Sequence, residues 1–343
     1  MASALRITAL SIMAVALAAC GTGSGGGGGS GTPTQIPPAP PPGETSAPNQ
    51  TPQTSAPDQT TQRQTTPSDN TPRTDVAFTS FSALQPNQNV IMSGSATTIS
   101  GTQTSNGPVT SVSPATNGAS NLTLGFDSQR NLTAIAISAP EGNVSFDRSA
   151  GHSISCSGGG ICSASSPTAS AITGDALGSG WNYQTYGAWA VQSGPTSFVL
   201  GGVSAGNATP GNAVPTTGTA RFFGNASGYF IDAAGIRSTT SAAMIANVDF
   251  QNRAIGFTTI DTTFLNPNPG PGTRKEELDL SGSLSWAPGV NNFTGQVQTR
   301  DRNLNGSASG KFYGPTAEEI GGTYSLSGGP TSRLVGGFGG IKR

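Results

Sequence analysis

The C-terminal stretch of the chain decides the fold. From Asn303 to Arg343 it reads NLNGSASGKFYGPTAEEIGGTYSLSGGPTSRLVGGFGGIKR. Its first part alternates small or apolar residues with polar ones, which is the period of a β-strand with one buried face. The apolar face carries Leu304, Gly306, Ala308, Gly310 and Phe312. A turn at Gly314-Pro315 leads to a second strand around Tyr324 and Leu326. The stretch therefore predicts consecutive strands joined by a short turn.

The same residues carry a family resemblance. The block GKFYGPTAEEIGGTYSL and the terminal FGGIKR resemble the closing strands of the transferrin-binding protein B barrel and of its single-lobe relatives. The upstream segments YQTYGAW, GTARFFGNASGYFID, NVDFQNR and GSLS are similar to the same barrel, so the resemblance extends from about Trp181 to Arg343. It implies an all-β protein in which a β-rich handle domain precedes an eight-stranded antiparallel barrel. This chain has one such lobe, whereas full-size members carry two.

Alternation along the C-terminal half supports a barrel over residues 176–343. In SAAMIANVDF the apolar residues fall on every second position from Ala242 to Phe250, and ELDLSGSLSW repeats the pattern from Leu278 to Trp286. A strand with Trp181 at its start is also expected. Eight or nine strands with short connections leave no exposed edges if the sheet closes. An eight-stranded barrel has an interior that side chains fill.

A first β unit is predicted over residues 75–175. The strands 122–126 and 132–137 are separated by a turn at Asp127–Arg130, which indicates a hairpin. Further strands are expected at 76–84, 90–99 and 143–147. The resemblance assigns this unit to the handle domain because of its position in the chain.

The N-terminus indicates export and lipidation. Arg6 precedes an apolar run over residues 7–16 that is too short to span a bilayer. Leu17-Ala18-Ala19-Cys20 then matches a bacterial lipobox, in which the cysteine receives the lipid. Residues 1–19 are therefore predicted to be a lipoprotein signal peptide, and an ordinary secretory signal is the alternative. Gly21 is not acidic, which favours the outer membrane, and multiple acyl chains anchor a protein stably.

Composition separates a linker from the folded part. Residues 20–74 are rich in Gly, Ser, Pro and Thr and contain almost no apolar bulk, so we expect a disordered tether. Charged residues make up 10% of the chain and the net charge is −1, which argues against a nucleic-acid partner.

Two cysteines remain once Cys20 is acylated. Cys156 and Cys162 lie in CSGGGIC, and in an oxidising compartment they are expected to form a disulfide. A metal site is the competing interpretation, but no histidine or carboxylate close by in sequence completes a tetrahedral set.

Catalytic patterns are weak. His152 is the only histidine in the chain, so a turn role is expected, and haem ligation is an alternative because some single-lobe relatives bind haem. Glu318 and Glu319 are adjacent at a corner, which suits a solvated turn better than a glycosidase pair. Asp301 begins a partial calcium-loop pattern that lacks its closing glutamate. We therefore expect no enzymatic activity, no cofactor and no metal.

Three functions remain open. The first is a surface-exposed outer-membrane lipoprotein that binds a protein ligand, transferrin-like or other, with a TonB-dependent transporter and a Slam-type translocon as partners implied by the resemblance. The ligand would meet the long connections at 201–218 and 265–274. The second is a haem or small-molecule carrier of the same fold, and the third is a structural envelope lipoprotein.

Overall fold

The computed structural model describes residues 72–105, 107–157, 160–265 and 273–343. The predicted signal peptide, Cys20 and nearly all of the predicted linker lie outside these residues. The described chain forms twenty strands in two sheets, with one α-helical turn, α1, at Ala176–Ser179. Short 3-10 turns occupy Phe81–Ala83, Arg148–Ala150, Gly211–Ala213 and Glu276–Leu278. The predicted all-β class is confirmed. In the part of the chain that is described, no helix has the length and apolar character needed to cross a membrane.

The first sheet contains eleven strands and is nearly closed. Its strands are β1 Thr74–Ala77, β2 Gln88–Gln103, β3 Val109–Val112, β4 Thr116–Phe126, β5 Leu132–Ala139, β6 Gly142–Asp147, β7 Ser153–Ser157, β8 Ile161–Ser165, β9 Ala169–Gly174, β10 Gln184–Gln192 and β11 Ser197–Gly206. Their order is β6-β5-β4-β2-β11-β10-β9-β8-β7, and β1 and β3 pair with β2. The two edge strands β6 and β7 are joined by a short turn, where the His152 N–H donates to the Asp147 carbonyl at 3.2 Å.

The predicted strands of this unit are found with different bounds. The hairpin around Asp127–Arg130 is confirmed as the β4–β5 connection. The predicted strand at 76–84 is only partly formed, because it ends at Ala77 and is followed by the 3-10 turn. The turn directs Phe81 and Leu84 into the core of the first sheet, where each is 3% exposed.

The second sheet is a closed eight-stranded antiparallel barrel, as predicted. Its strands are β12 Thr219–Ile231, β13 Arg237–Asp249, β14 Ala254–Phe264, β16 Leu280–Trp286, β17 Phe293–Thr299, β18 Asn305–Tyr313, β19 Glu319–Ser327 and β20 Arg333–Lys342. The order is β13-β12-β20-β19-β18-β17-β16-β14, and pairing of β13 with β14 closes the ring. A two-residue strand, β15 (Thr273–Arg274), is added to β14. Full closure leaves the barrel without an open sheet edge.

Aromatic side chains fill the barrel interior. Phe312 lies at their centre, with ring centroids 5.2 Å from Trp286, 5.4 Å from Phe293 and 5.7 Å from Phe250. The predicted inward face of β18, from Leu304 to Phe312, is buried or half-buried at every second position. The barrel is a packed core, as expected for eight strands.

The structure corrects the predicted start of the barrel. Strands β10 and β11 were assigned to the barrel together with Trp181, but they pair with β9 and β2 and belong to the first sheet. The barrel strands begin at Thr219. Most of β10 and β11 is buried, because one face of the sheet covers its own core and the other packs on the barrel.

The two sheets meet through backbone contacts at glycines. A Cβ atom on Gly202 of β11 would lie 2.0 Å from the carbonyl oxygen of Gly336 of β20. On the barrel side, a Cβ on Gly337 would lie 2.6 Å from the Gly187 oxygen and 2.7 Å from the Val203 oxygen. Only glycine permits so close an approach of two backbones. The sheets are therefore packed directly on each other, with no side-chain layer at these points.

Candidate functional site

A cavity of about 420 Å³ opens at one end of the first sheet, and we call it the mouth cavity. It lies where the nearly closed sheet leaves a gap between the β4–β5 turn, strand β7 and the α1 turn. Phe81, Phe126 and Ile154 form its floor, and Arg130 and Arg148 stand on its rim. The arrangement places charged groups around an apolar base.

The floor belongs to the core of the first sheet. Phe81 and Phe126 are each 3% exposed and Ile154 is 6% exposed, so the floor is fixed by packing. The rings of Phe81 and Phe126 meet edge to face at 6.5 Å. Leu177 of α1 lies at the rim and is 40% exposed, which extends the apolar surface outward.

The β4–β5 turn holds Arg130 on the rim. The Asp127 carboxylate accepts the N–H groups of Gln129 at 2.9 Å and Asn131 at 2.7 Å, which fixes the turn. Arg130 has φ of 62°, in the left-handed region that glycine or asparagine usually occupies. Its exposed guanidinium has no hydrogen bond or ion pair with any described residue, so its donors are available.

Arg148 is placed by the turn between β6 and β7. Asp147 caps this turn, because its carboxylate accepts the Ser149 N–H at 2.8 Å. One guanidinium nitrogen of Arg148 donates to the Ile154 carbonyl at 2.8 Å. This bond ties the side chain to the edge of β7, and its other guanidinium nitrogens have no hydrogen bond with a described residue.

The predicted disulfide between Cys156 and Cys162 forms part of the wall. The two residues are directly opposite each other on β7 and β8. Asp175 lies within 4.8 Å of both sulfurs, so the fold brings a carboxylate to the pair that the sequence did not indicate. Metal ions bind the thiolate form of cysteine, so the disulfide excludes the metal interpretation for this oxidised pair. Asp175 is in any case used to cap α1, where it accepts the Gly178 N–H at 2.9 Å.

His152 has a structural role in the β6–β7 turn. Its Nδ1 accepts the Asp147 N–H at 3.0 Å, and its ring lies edge to face with Phe146 at 6.1 Å. The side chain is not part of the mouth cavity. The structure therefore does not bring the histidine and the apolar floor together.

The environment of Glu319 differs most from the one that the sequence predicts. It was expected at a solvated corner, yet it is 1% exposed. Its carboxylate accepts three successive N–H groups at the start of β10, from Asn182, from Tyr183 at 3.0 Å and from Gln184 at 3.0 Å. Burial raises the pKa of Glu319 to about 7, although the three hydrogen bonds act in the opposite direction. The residue therefore joins β19 of the barrel to the segment that leads into β10 of the first sheet.

The first part of the connection at 201–218, which is predicted to meet a ligand, belongs to β11, and the rest is held against the barrel. Thr209 is 2% exposed, its N–H donates to the Phe312 carbonyl at 3.0 Å, and its hydroxyl donates to the Gly314 carbonyl at 2.6 Å. Val214 is buried in the barrel core. Of the other predicted ligand loop, residues 266–272 lie outside the described residues.

Comparison with known proteins supports the predicted family for the barrel. Residues 214–342 match a family model described as the C-lobe and N-lobe β-barrels of transferrin-binding protein B. The barrel is therefore of the transferrin-binding protein B type. No curated protein matches the chain.

Several solved structures are similar to the chain at low identity. Transferrin-binding protein B of Neisseria meningitidis is 15% identical, over 68% of this chain and 53% of that chain, with a TM-score of 0.40. A variant of the protein from Haemophilus parasuis is 15% identical, over 65% of this chain and 51% of that chain, with a TM-score of 0.39. The N-lobe of lactoferrin-binding protein B of Moraxella bovis is 13% identical, over 73% and 99%, with a TM-score of 0.38. The match spans about half the length of the two transferrin-binding proteins.

Proposed function

We infer that this protein, whose barrel is of the transferrin-binding protein B type, is a non-enzymatic binding lipoprotein displayed on the outer surface of the cell. The observation that carries this proposal is the match of residues 214–342 to the family model, together with the closed barrel. The fold alone does not identify the ligand.

The anchor is proposed to be the acylated Cys20. The lipobox Leu17-Ala18-Ala19-Cys20 and the polar linker that follows supply the chemistry for lipidation and the length for display. Export across the outer membrane by a Slam-type translocon follows from the family resemblance. A Cys20→Ser variant should lose acylation and appear in the soluble fraction, whereas retention in the membrane would refute the anchor.

The proposed ligand is a protein, transferrin-like or another iron carrier. The similar solved proteins are named for transferrin and lactoferrin, and transfer of cargo to a TonB-dependent transporter would be the associated step. Direct packing of the barrel on the first sheet supports this proposal, because a ligand that touches both would meet a preformed surface. Preorganised surfaces lose less conformational entropy on binding.

A non-enzymatic role is supported by the available side chains. His152, the single histidine of the chain, uses Nδ1 in a turn hydrogen bond, and Glu319 is enclosed between the two sheets. Glu319 therefore lacks the exposed position that a general acid or base requires, and His152 has a structural hydrogen bond to the turn.

Surface labelling and ligand capture test the proposal together. Intact cells are treated with a membrane-impermeant amine reagent, and the labelled protein is then used to capture ligands from serum. Labelling with retention of an iron-carrying serum protein is the expected result. Labelling without a retained protein would favour a structural envelope role, and absence of labelling on intact cells would refute surface display.

A further inference from the structure

We propose that the mouth cavity binds a small amphipathic anion, a molecule with an apolar body and one carboxylate or phosphate head group. This site does not depend on the protein ligand proposed above, because every residue that lines the cavity lies between residues 81 and 178, before the first barrel strand.

The floor of the cavity gives the site a fixed shape, and the exposed Leu177 at the entrance supplies most of the apolar surface that a ligand can cover. Phe81, Phe126 and Ile154 are almost completely buried, so their positions are set before any ligand arrives. A volume of about 420 Å³ lies within the usual range of small-molecule sites. Leu177 adds an exposed apolar side chain at the entrance, whose burial by a ligand would be favourable.

The rim provides the contact for the head group. The guanidinium of Arg130 makes no hydrogen bond with a described residue, and the guanidinium of Arg148 uses one nitrogen for the Ile154 carbonyl. Guanidinium groups match the planar geometry of carboxylates and bind phosphates equally well. Both side chains can therefore donate to one anion without breaking an existing contact.

The charge balance of the cavity also favours an anion. Asp175 is the only carboxylate among the described lining residues, and it is already engaged with the Gly178 N–H. Two guanidinium groups thus face a single carboxylate that caps its own helical turn. In a chain with only 10% charged residues, this leaves a positive rim around an apolar floor.

Isothermal titration of the chain carrying Cys20→Ser, which removes competing acylation, tests the site. Decanoate and decyl phosphate supply the two head groups, and 1-decanol supplies the same apolar body without charge. We expect saturable binding of either anion, with an affinity at least about tenfold higher than that of the alcohol, because the alcohol cannot form the charge-assisted hydrogen bonds. Failure of both anions to bind, or equal binding of the alcohol, would overturn the proposal.

Variants distinguish the cavity from general adsorption. Arg130→Gln changes an exposed turn residue and should weaken anion binding by about tenfold without altering the fold. Arg302→Gln is the matched control, because Arg302 has φ of 60° in an equivalent barrel turn far in sequence from the cavity. Ser155→Trp, at an exposed wall position, should obstruct the apolar body. An equal effect of the Arg302 control, or undiminished binding by the Ser155 variant, would refute the site, whatever the outcome of the serum capture.

Discussion

Replacing Glu319 by alanine removes the acceptor for three consecutive backbone donors. The N–H groups of residues 182–184 would lose their partner at the start of β10. A buried donor without a partner costs about 1–3 kcal/mol. Asn182 and Tyr183 are half-buried, so water can replace part of the loss. We therefore expect the free energy of unfolding to fall by about 2–5 kcal/mol.

Urea unfolding measured by intrinsic fluorescence provides the test. Glu318→Ala is the matched control, because the adjacent carboxylate accepts the Thr316 N–H at 2.9 Å and the Thr316 hydroxyl at 2.6 Å within its own turn. Its replacement should change the free energy of unfolding by less than about 1 kcal/mol. Similar losses for Glu318→Ala and Glu319→Ala would contradict the role assigned to the buried carboxylate.

The same residue predicts a specific pH dependence. Burial raises the pKa of Glu319 from 4.5 to about 7, so the folded protein binds more protons than the unfolded chain between these values. The free energy of unfolding should therefore decrease as pH rises from about 4.5 to 7, by up to about 3 kcal/mol for this group. Glu319→Gln is neutral at every pH and should remove this slope. The wild-type slope persisting in that variant would refute the reasoning.

Carboxylates with lowered pKa values change the stability of the protein only at a pH below the range in which Glu319 titrates. For Asp147 and Asp301, burial raises the pKa, but hydrogen bonds, chiefly from Ser149 and Thr299 respectively, outweigh it and hold the pKa below its ordinary value. Their contribution is present above the unfolded pKa, near 3.8, and is lost only as pH falls below it. A decrease in stability below pH 4 is therefore compatible with the Glu319 prediction.

Three further perturbations test the packing of the first sheet. Gly202→Ala places a methyl group against the facing barrel backbone and should destabilise the protein by about 3 kcal/mol or more. Gly256→Ala is the control and should be tolerated, because no atom outside the glycine and its two chain neighbours lies nearer than 4.0 Å to the added methyl group. Thermal melts of the two variants test the difference. Replacing Cys156 and Cys162 together by alanine should lower the free energy of unfolding by about 2 kcal/mol in urea, and no change would show that the bridge does not constrain the unfolded chain. Arg73→Ala removes contacts to three side chains and should accelerate hydrogen exchange in β1 with little change elsewhere; unchanged exchange would contradict its role as a clamp.

Periodicity revealed the barrel because its strands have one inner and one outer face. In β13, β16 and β18 the inward positions alternate with polar ones, and the predicted faces agree with burial. Strands β10 and β11 carry no such signal, since both faces are largely buried, one against each sheet. The membership of β11 in the first sheet depends on pairing with β2, about a hundred residues away, and β10 joins the sheet through β11 and β9.

The candidate site was less accessible to sequence reasoning. Arg130 and Arg148 lie in separate turns, and only the curvature of the first sheet brings them to one rim. Glu319 binds backbone groups 135–137 residues earlier in the chain, so no local pattern marks it as buried. The disulfide could be predicted because two cysteines remain once Cys20 is acylated and an exported protein enters an oxidising compartment.

The glycine contacts between the sheets have a mechanical consequence. Sliding one sheet by two residues, about 6.6 Å, keeps the same face of β11 toward the barrel and would replace Gly202 at the contact by Leu200 or Ser204, whose side chains the facing backbone cannot accommodate. At these glycines the joint therefore has no neighbouring position on the same face to which it can shift. A force applied to the barrel would therefore pass to the first sheet through rigid backbone contacts at these glycines.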